Sequence, residues 1–452
     1  MSATSSLRQP ADRSAATMTK RAWWLLGLNI LIPGSAQLLA GNRKLGRFGV
    51  VASFIFVVLV VIALVLSVAA PAVLLTIGSS TIGLWAIALG LAFYAVLWIV
   101  LTLNAWSISG LGRATPSGRA VVAAFSAIVL VVVAGTAGYG AYVATTANSF
   151  LSDVFIAAPT KEPIDGRYNI LLLGGDAGAD RDGLRPDSIT LASIDAETGE
   201  AVLIGLPRNM ELTPFVAGSP LADKYPDGYG AYGCDVDVCL LNSIYTEVEL
   251  NTPELYPDAV ANGSTPGIEA MRDAVEGITG LGIQYYALID MQGFSDLIDS
   301  LGGVTINVEE AVPIHADAEF TIVAEWIPAG VQVMDGYHAL WYARSRHDTT
   351  DYDRMERQRQ LQQAVVEQFT PANVLTKFQA IASASSKVVT TDVPQGSLGY
   401  FVNLASKTRT MPIGSLELVP ANDIDPEFPD FEYIRELVAG VTVSSVADDS
   451  SE

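Results

Sequence analysis

The hydrophobic pattern divides the chain in two. As far as about residue 150, apolar positions follow one another almost without interruption; beyond it they fall into short runs separated by polar, glycine- and proline-bearing segments. Residues 50–70, 84–103 and 120–144 carry no charge, and each is long enough for a membrane-crossing helix, which needs about 20 residues. An ion at mid-bilayer would cost about 3 kcal/mol on insertion. A fourth apolar stretch, 22–40, holds Asn29, Pro33-Gly34 and Gln37 near its middle. It reads as a re-entrant or interfacial segment, with a fourth span as the alternative. The runs are too long, too many and too far from the start for a cleaved signal peptide.

Lysine and arginine orient these spans. Arg43, Lys44 and Arg47 precede the first, Arg113 and Arg119 lie between the second and third, and 71–83 is uncharged. The positive-inside rule places 1–21 in the cytoplasm, 71–83 outside, and everything beyond the third span outside. Residues 145–165 read as a linker, 166–440 as an extracytoplasmic domain large enough for a full core, and 441–452 as a disordered tail with little to bury.

Within that domain, 169–174 (NILLLG) is a continuous apolar run and predicts a strand covered on both faces. Residues 188–194 and 200–206 predict two more, joined by a glycine-bearing hairpin loop. Residues 265–280 predict a helix, with Thr265 as N-cap, proline in the first turn and Gly280 as stop. Strands follow at 285–289 and 304–308, with a helix over 291–301 between them. Further helices are predicted at 335–343, 353–369 and 372–386. The fold class is α/β: a three-layer α/β/α sandwich with a mixed central sheet, preceded by an all-α transmembrane region.

Charge follows the same division. Residues 1–150 carry nine Lys/Arg and a single acid, Asp12, so the rest of the chain is strongly acidic within a net charge of −22. A domain of that sign repels nucleic-acid backbones, and any phosphate chemistry must rest on a local arginine cluster. The two cysteines, Cys234 and Cys239, are too few for a structural zinc site; on the exported side they predict a disulfide closing a small loop.

Candidate chemistry gathers at strand ends and on one helix. Asp176 follows the first strand, Arg185 and Asp187 precede the second, and Arg208 follows the third. Arg344 and Arg346 sit just past a helix. Asp351 follows, and Arg354, Arg357 and Gln358 share one face of the next helix by their spacing. Arginines directed at one place need an anion between them, and the guanidinium fork suits phosphate. Carboxylates among them suit Mg²⁺, which takes one or two carboxylates plus phosphate oxygens. The parts describe a pyrophosphate site. His315, His338 and His347 are scattered, without zinc or hydrolase spacing.

These segments carry a resemblance. NILLLGGD, LRPDS, SIDAETGEAVLIGLPRN, CLLNSIYTE, GFSDLIDSLGGVTINV, MDGYHALWYARSR and DYDRMERQRQ, in this order over about 166–370, resemble the LytR-CpsA-Psr family, and the multi-span N-terminus resembles its actinobacterial members. The resemblance implies an enzyme that transfers glycopolymers from a polyprenyl-pyrophosphate carrier to peptidoglycan, releasing polyprenyl phosphate. Asp176 and Asp187 match its acidic positions for Mg²⁺ (or Mn²⁺). Arg185, Arg208, Arg344, Arg346, Arg354, Arg357 and Gln358 match its phosphate-contacting positions, and Asn242 matches a supporting one. Arg344, Arg346 and Asp351 are the expected catalytic residues, with Asp187 or Asp351 as proton acceptor. Asn209 and Gly175 depart from the family's more usual Asp and Ser. The isoprenoid is expected in an apolar groove between sheet and helices. The same site with water as acceptor would be a pyrophosphate hydrolase, and an envelope sensor would need no such constellation.

Overall fold

The computed structural model describes residues 13–176, 184–316, 322–345, 350–368 and 389–443, with side chains except at a few positions that include Asp176. The chain divides into two compact units, 1–149 and 150–452. The predicted helix 372–386, Arg346 and most of the tail lie outside the described residues.

Among the described residues the first unit is built of helices: α1 (Ala15–Leu31), α2 (Ser35–Ala40), α3 (Arg43–Ala69), α4 (Pro71–Ser79), α5 (Thr81–Ser109) and α6 (Pro116–Val154). Three helices among the described residues are long and apolar enough to cross a membrane, and they contain the three predicted spans but for residue 70, which caps the first. The stretch 22–40 is a helix broken at Ile32–Gly34 followed by a short one. Gly34 makes that break possible. Its φ is +96°, and a Cβ there would sit 2.6 Å from the Gly46 carbonyl oxygen of α3. Gln37 of α2 then donates to the Leu101 carbonyl of α5 at 2.7 Å. Residues 145–154, read as linker, instead continue α6, because no proline or glycine interrupts the helix before Pro159.

The second unit is built on a six-stranded sheet of order β10-β3-β2-β1-β4-β9. Its strands are β1 (Arg167–Asp176), β2 (Arg185–Asp195), β3 (Ala201–Leu206), β4 (Tyr285–Asp290), β9 (Val389–Thr391) and β10 (Gly414–Glu417). The β1–β4 and β10–β3 pairs are parallel and the others antiparallel, so the sheet is mixed as predicted. One face buries Leu171, Leu173, Ile189, Leu191 and Ile204 against α8 (Ser243–Asn251), α9 (Pro266–Thr279) and α14 (Phe431–Thr442). Ile268, Met271, Val275 and Ile278 present one stripe of α9 to this core, and each fully buried side chain contributes about 1.5–3 kcal/mol. Thr265 precedes α9 but caps nothing with its side chain; Glu249 accepts from the Gly267 N–H instead, at 2.8 Å.

The opposite face carries Tyr168, Tyr285 and Leu404 of α13 (Leu398–Thr408), and further along it meets α12 (Asp351–Gln368). A smaller core joins α10 (Met291–Leu301), α11 (Gly336–Arg344) and α12 to two ribbons. These pair β5 (Val304–Val308) with β8 (Gly330–Met334), and β6 (Val312–Ala316) with β7 (Val323–Ile327).

Candidate functional site

The strand ends converge because β2 and β3 are antiparallel. Ile189 faces Leu206, so the register carried two residues further sets Asp187 opposite Arg208. Across β1 the pairing shifts: Gly174 faces Ser188, but Gly175 faces Pro186, leaving Asp187 as the extra residue of a bulge. Such a bulge re-aims a side chain beside a site. Here Arg208 Nη1 donates to Asp187 Oδ1 at 2.6 Å, while Arg208 Nε donates to Asp351 Oδ2 at 3.1 Å. Arg354 Nη2 also donates to Asp351 Oδ2, at 3.2 Å, from a side chain only 3% exposed. Burial works against the charge of Arg208, but the two carboxylates more than offset it and hold the guanidinium above its ordinary pKa. Four predicted residues from three separate segments thus form one ionic chain.

The arginines are therefore matched by carboxylates within this chain, a balance the sequence reading did not contain. Arg357 and Gln358 are engaged differently. Arg357 Nε donates to the Tyr342 carbonyl at 2.9 Å and Nη2 donates to that of Ser345; Gln358 Nε2 donates to the Ala343 carbonyl at 3.2 Å. Both side chains fasten α12 to the segment bearing Arg344. Burial leads the causes that leave Arg357 below its ordinary pKa, against Tyr342 and Asp353. Arg344 is the last residue of α11 rather than beyond it. It is exposed, and its guanidinium lies 5.4 Å from the Trp341 ring centroid. Arg185 opens β2, half-buried, facing the backbone of Asp176 at the end of β1.

Asn242 is buried beside the site, and its N–H donates to the Arg208 carbonyl at 3.1 Å. Leu241 N–H donates to the Met210 carbonyl at 2.9 Å, so this segment brackets the loop bearing Arg208. The segment is anchored in turn. Cys234 and Cys239 form a disulfide, and fully buried Glu247 accepts from Lys224 and Tyr229, each at 2.8 Å, and from the Asp235 N–H at 3.2 Å.

Between the sheet and α12 lies a narrow cleft reaching Asp187. Among the described residues its lining is largely polar, with Thr190, Gln358, Arg359, Gln362 and Glu417 beside Ile189, Leu203 and Met355. Glu417 escaped the sequence reading. Its carboxylate lies over Gly205, where a Cβ would come within 1.9 Å of Oε2. Burial, opposed by Arg359 and reinforced by Glu356, pushes its pKa up to about 7. The one available signal was Gly205 itself, since a glycine inside an apolar strand marks a close approach.

Comparison with known proteins identifies a family. The LytR_cpsA_psr family model matches residues 141–425, more than half of the chain. The cell wall biosynthesis protein LcpA of Corynebacterium glutamicum is 30% identical over 254 residues, covering 50% of this chain and 45% of that protein. A polyisoprenyl-teichoic acid–peptidoglycan teichoic acid transferase TagU, from Bacillus mycoides, is 25% identical over 232 residues, covering 51% and 62%. The chain thus matches about half to three fifths of these relatives' lengths. Among solved structures, Bacillus subtilis TagV aligns with 63% of this chain and 98% of its own at 19% identity and a TM-score of 0.44. The family match and the order of the motifs lead to one assignment: the chain belongs to the LytR-CpsA-Psr family.

Proposed function

We propose that this protein is a membrane-anchored transferase that moves a glycopolymer from a polyprenyl-pyrophosphate carrier to peptidoglycan. The observation that carries the reading is the bridge Asp187–Arg208–Asp351–Arg354, assembled from two strand ends and a helix. It is supported by the names of the relatives LcpA and TagU. In this reading a muramyl hydroxyl attacks the glycan-side phosphorus, the bond to the polyprenyl phosphate oxygen breaks, and polyprenyl phosphate leaves. The hydroxyl proton passes to Asp187 or Asp351. Arg208 and Arg354 exchange part of their carboxylate contacts for phosphoryl oxygens, and Arg185, Arg344 and Arg346 complete the anion's surroundings. Phosphoryl transfer of this kind depends on positioning and charge neutralisation, without a covalent intermediate. Arg357, Gln358 and Asn242 hold the backbone that carries these groups.

The donor set suits Mg²⁺ or Mn²⁺. Asp187 projects from the bulge beside the end of β1, where Asp176 stands, and hard oxygen ligands of this number are what Mg²⁺ takes from protein when phosphate supplies the rest. Asp176 and Asp187 would hold it, and when bound it supplies charge neutralisation at the phosphoryl oxygens. The apolar helices of the first unit anchor the chain in multiple passes, with the second unit outside the cytoplasm.

The test is transfer of a polyprenyl-pyrophosphate glycan to a muramyl acceptor by the full chain in detergent, with and without Mg²⁺ and with and without acceptor. Acceptor-dependent release of polyprenyl monophosphate together with a phosphodiester-linked glycan is the expected result. Release at an equal rate without acceptor identifies a hydrolase, and no release in any arm removes the enzymatic reading.

A further inference from the structure

The arginines of the ionic bridge already hold an anion of the protein's own. Arg208 Nε and Arg354 Nη2 both donate to one atom, Asp351 Oδ2, at 3.1 and 3.2 Å. Two guanidinium groups from separate segments thus converge on a single oxygen, as they would on a non-bridging phosphoryl oxygen. Arg208 divides its fork: Nη1 goes to Asp187 Oδ1 at 2.6 Å, so it grips neither carboxylate with two nitrogens. The two carboxylates are not equivalent. Asp187 belongs to the bulge of β2, fixed between β1 and β3. Asp351 stands in the first turn of α12, with 26% of its side chain exposed. There the positive end of the helix dipole favours a carboxylate whichever way its side chain turns. Asp351 can therefore leave both arginines without being stranded.

We propose that Asp351 is an internal competitor for the pyrophosphate of the donor. Its Oδ2 takes the place that a phosphoryl oxygen would fill; the donor displaces it, and it returns to Arg208 and Arg354 as the monophosphate product departs. Asp351 thereby sets the affinity of the site, a role that rests on the phosphate site of the function proposed above. No covalent bond is made or broken in this exchange. One anion replaces another on the same two cations, so the buried guanidinium of Arg354, 3% exposed, keeps a counter-charge at both stages. A competitor tethered to the same chain acts at high effective concentration. It lowers the apparent affinity by the fraction of molecules whose arginines are open to ligand, so a carboxylate that holds them nine times in ten weakens binding about tenfold.

The experiment is calorimetric binding of inorganic pyrophosphate, without added divalent cation, to the full chain in detergent. Four proteins are compared: the wild type, Asp351→Asn, Asp351→Ala and Glu356→Gln. Both Asp351 variants should bind at least about tenfold tighter than the wild type. Glu356 lies on the same helix but is exposed and paired with Arg359 at 3.0 Å, so it controls for charge alone. Glu356→Gln should change the affinity by less than about threefold, since solvent and salt screen an exposed charge. Melting curves verify the fold, and the alanine variant repeats the test with a different shape. A merely structural Asp351 predicts the opposite sign, because arginines that lose the carboxylate orienting them bind an anion more weakly. Unchanged or weaker binding in either folded Asp351 variant, an equal gain in Glu356→Gln, loss of the fold in both Asp351 variants, or no binding by any of the four proteins would overturn the proposal. Transfer by the wild type, assayed as above, reports on the reaction separately. Absent transfer beside the expected tightening counts against the transferase reading alone, whereas transfer without tightening counts against the competitor alone.

Discussion

Arg208 reaches Asp187 with one nitrogen and Asp351 with another, and so ties a strand bulge to the first turn of α12. Only a planar fork spans both. Arg208→Lys keeps a charge but meets one carboxylate at a time. Arg208→Ala should lower transfer about 100–1,000-fold, as loss of one electrostatic stabiliser does. It should also cost about 1–3 kcal/mol of stability, because half-buried Asp187 loses its arginine and Asp351 is left with Arg354 alone of the two. The lysine variant should fall between. Wild-type turnover by Arg208→Ala in the transfer assay would remove Arg208 from the chemistry.

Arg344 offers the contrasting case. It is exposed at the end of α11, so Arg344→Ala should shift stability by no more than about 0.5 kcal/mol. Transfer should nonetheless fall about 100-fold. Melting curves and turnover measured on one preparation separate the two. A variant that melts much lower yet transfers at the wild-type rate would make Arg344 a structural ion-pair partner.

Glu417 predicts a pH dependence. Its folded pKa of about 7 lies above the ordinary carboxyl value, so the folded chain binds the proton more tightly than the unfolded one. The resulting stabilisation is present in acid and is lost as pH rises towards and through 7. Its full size is at most about 3 kcal/mol. Glu417→Gln should flatten the slope of stability between pH 5 and pH 7.5 in denaturant titrations. An unchanged slope in that variant would show that other groups carry it.

The disulfide closes a short loop beside the Arg208-bracketing segment. Non-reducing intact mass after alkylation should show no free thiol. Cys234→Ala with Cys239→Ala should cost about 2 kcal/mol on the chain-entropy picture. Two alkylated thiols in protein prepared from the membrane would contradict the bridge.

A reporter that is active only when exported, fused after Glu452, should be active. Activity there of a reporter that works only in the cytoplasm would reverse the assigned orientation.

Much of this was legible from residue patterns. The runs around Leu171, Leu191 and Ile204 have the period and length of buried strands, and Asp290, Asp335 and Gly302 punctuate their helices as such residues do. The ribbon strands β6, β7 and β8 were not read, because Val323–Ile327 and Gly330–Met334 are five residues each and expose much of their apolar surface. The helices α13 and α14 follow segments without motif and owe their place to tertiary packing at Leu404 and Ile434. The candidate residues stood out by type, but their pairing did not. That Arg357 would grip backbone carbonyls while Arg208 took two carboxylates depends on the β2 bulge and on where α12 docks, neither of which leaves a local signature.

Two helices, α9 and α12, meet the central sheet through different contacts. α9 is held by buried aliphatic side chains, whereas α12 reaches the sheet through Gln362–Thr190 at 3.2 Å, Arg359–Ser415 at 2.8 Å and the looser Arg359–Glu417 pair at 3.6 Å. Polar contacts of this kind can be traded for water with little loss, while aliphatic burial cannot. Amide protons of α12 should therefore exchange with solvent well before those of α9, through local opening rather than global unfolding. An opening confined to that side would widen the cleft beneath α12 while the aliphatic half of the molecule keeps the strand ends, and Asp187 with them, in register.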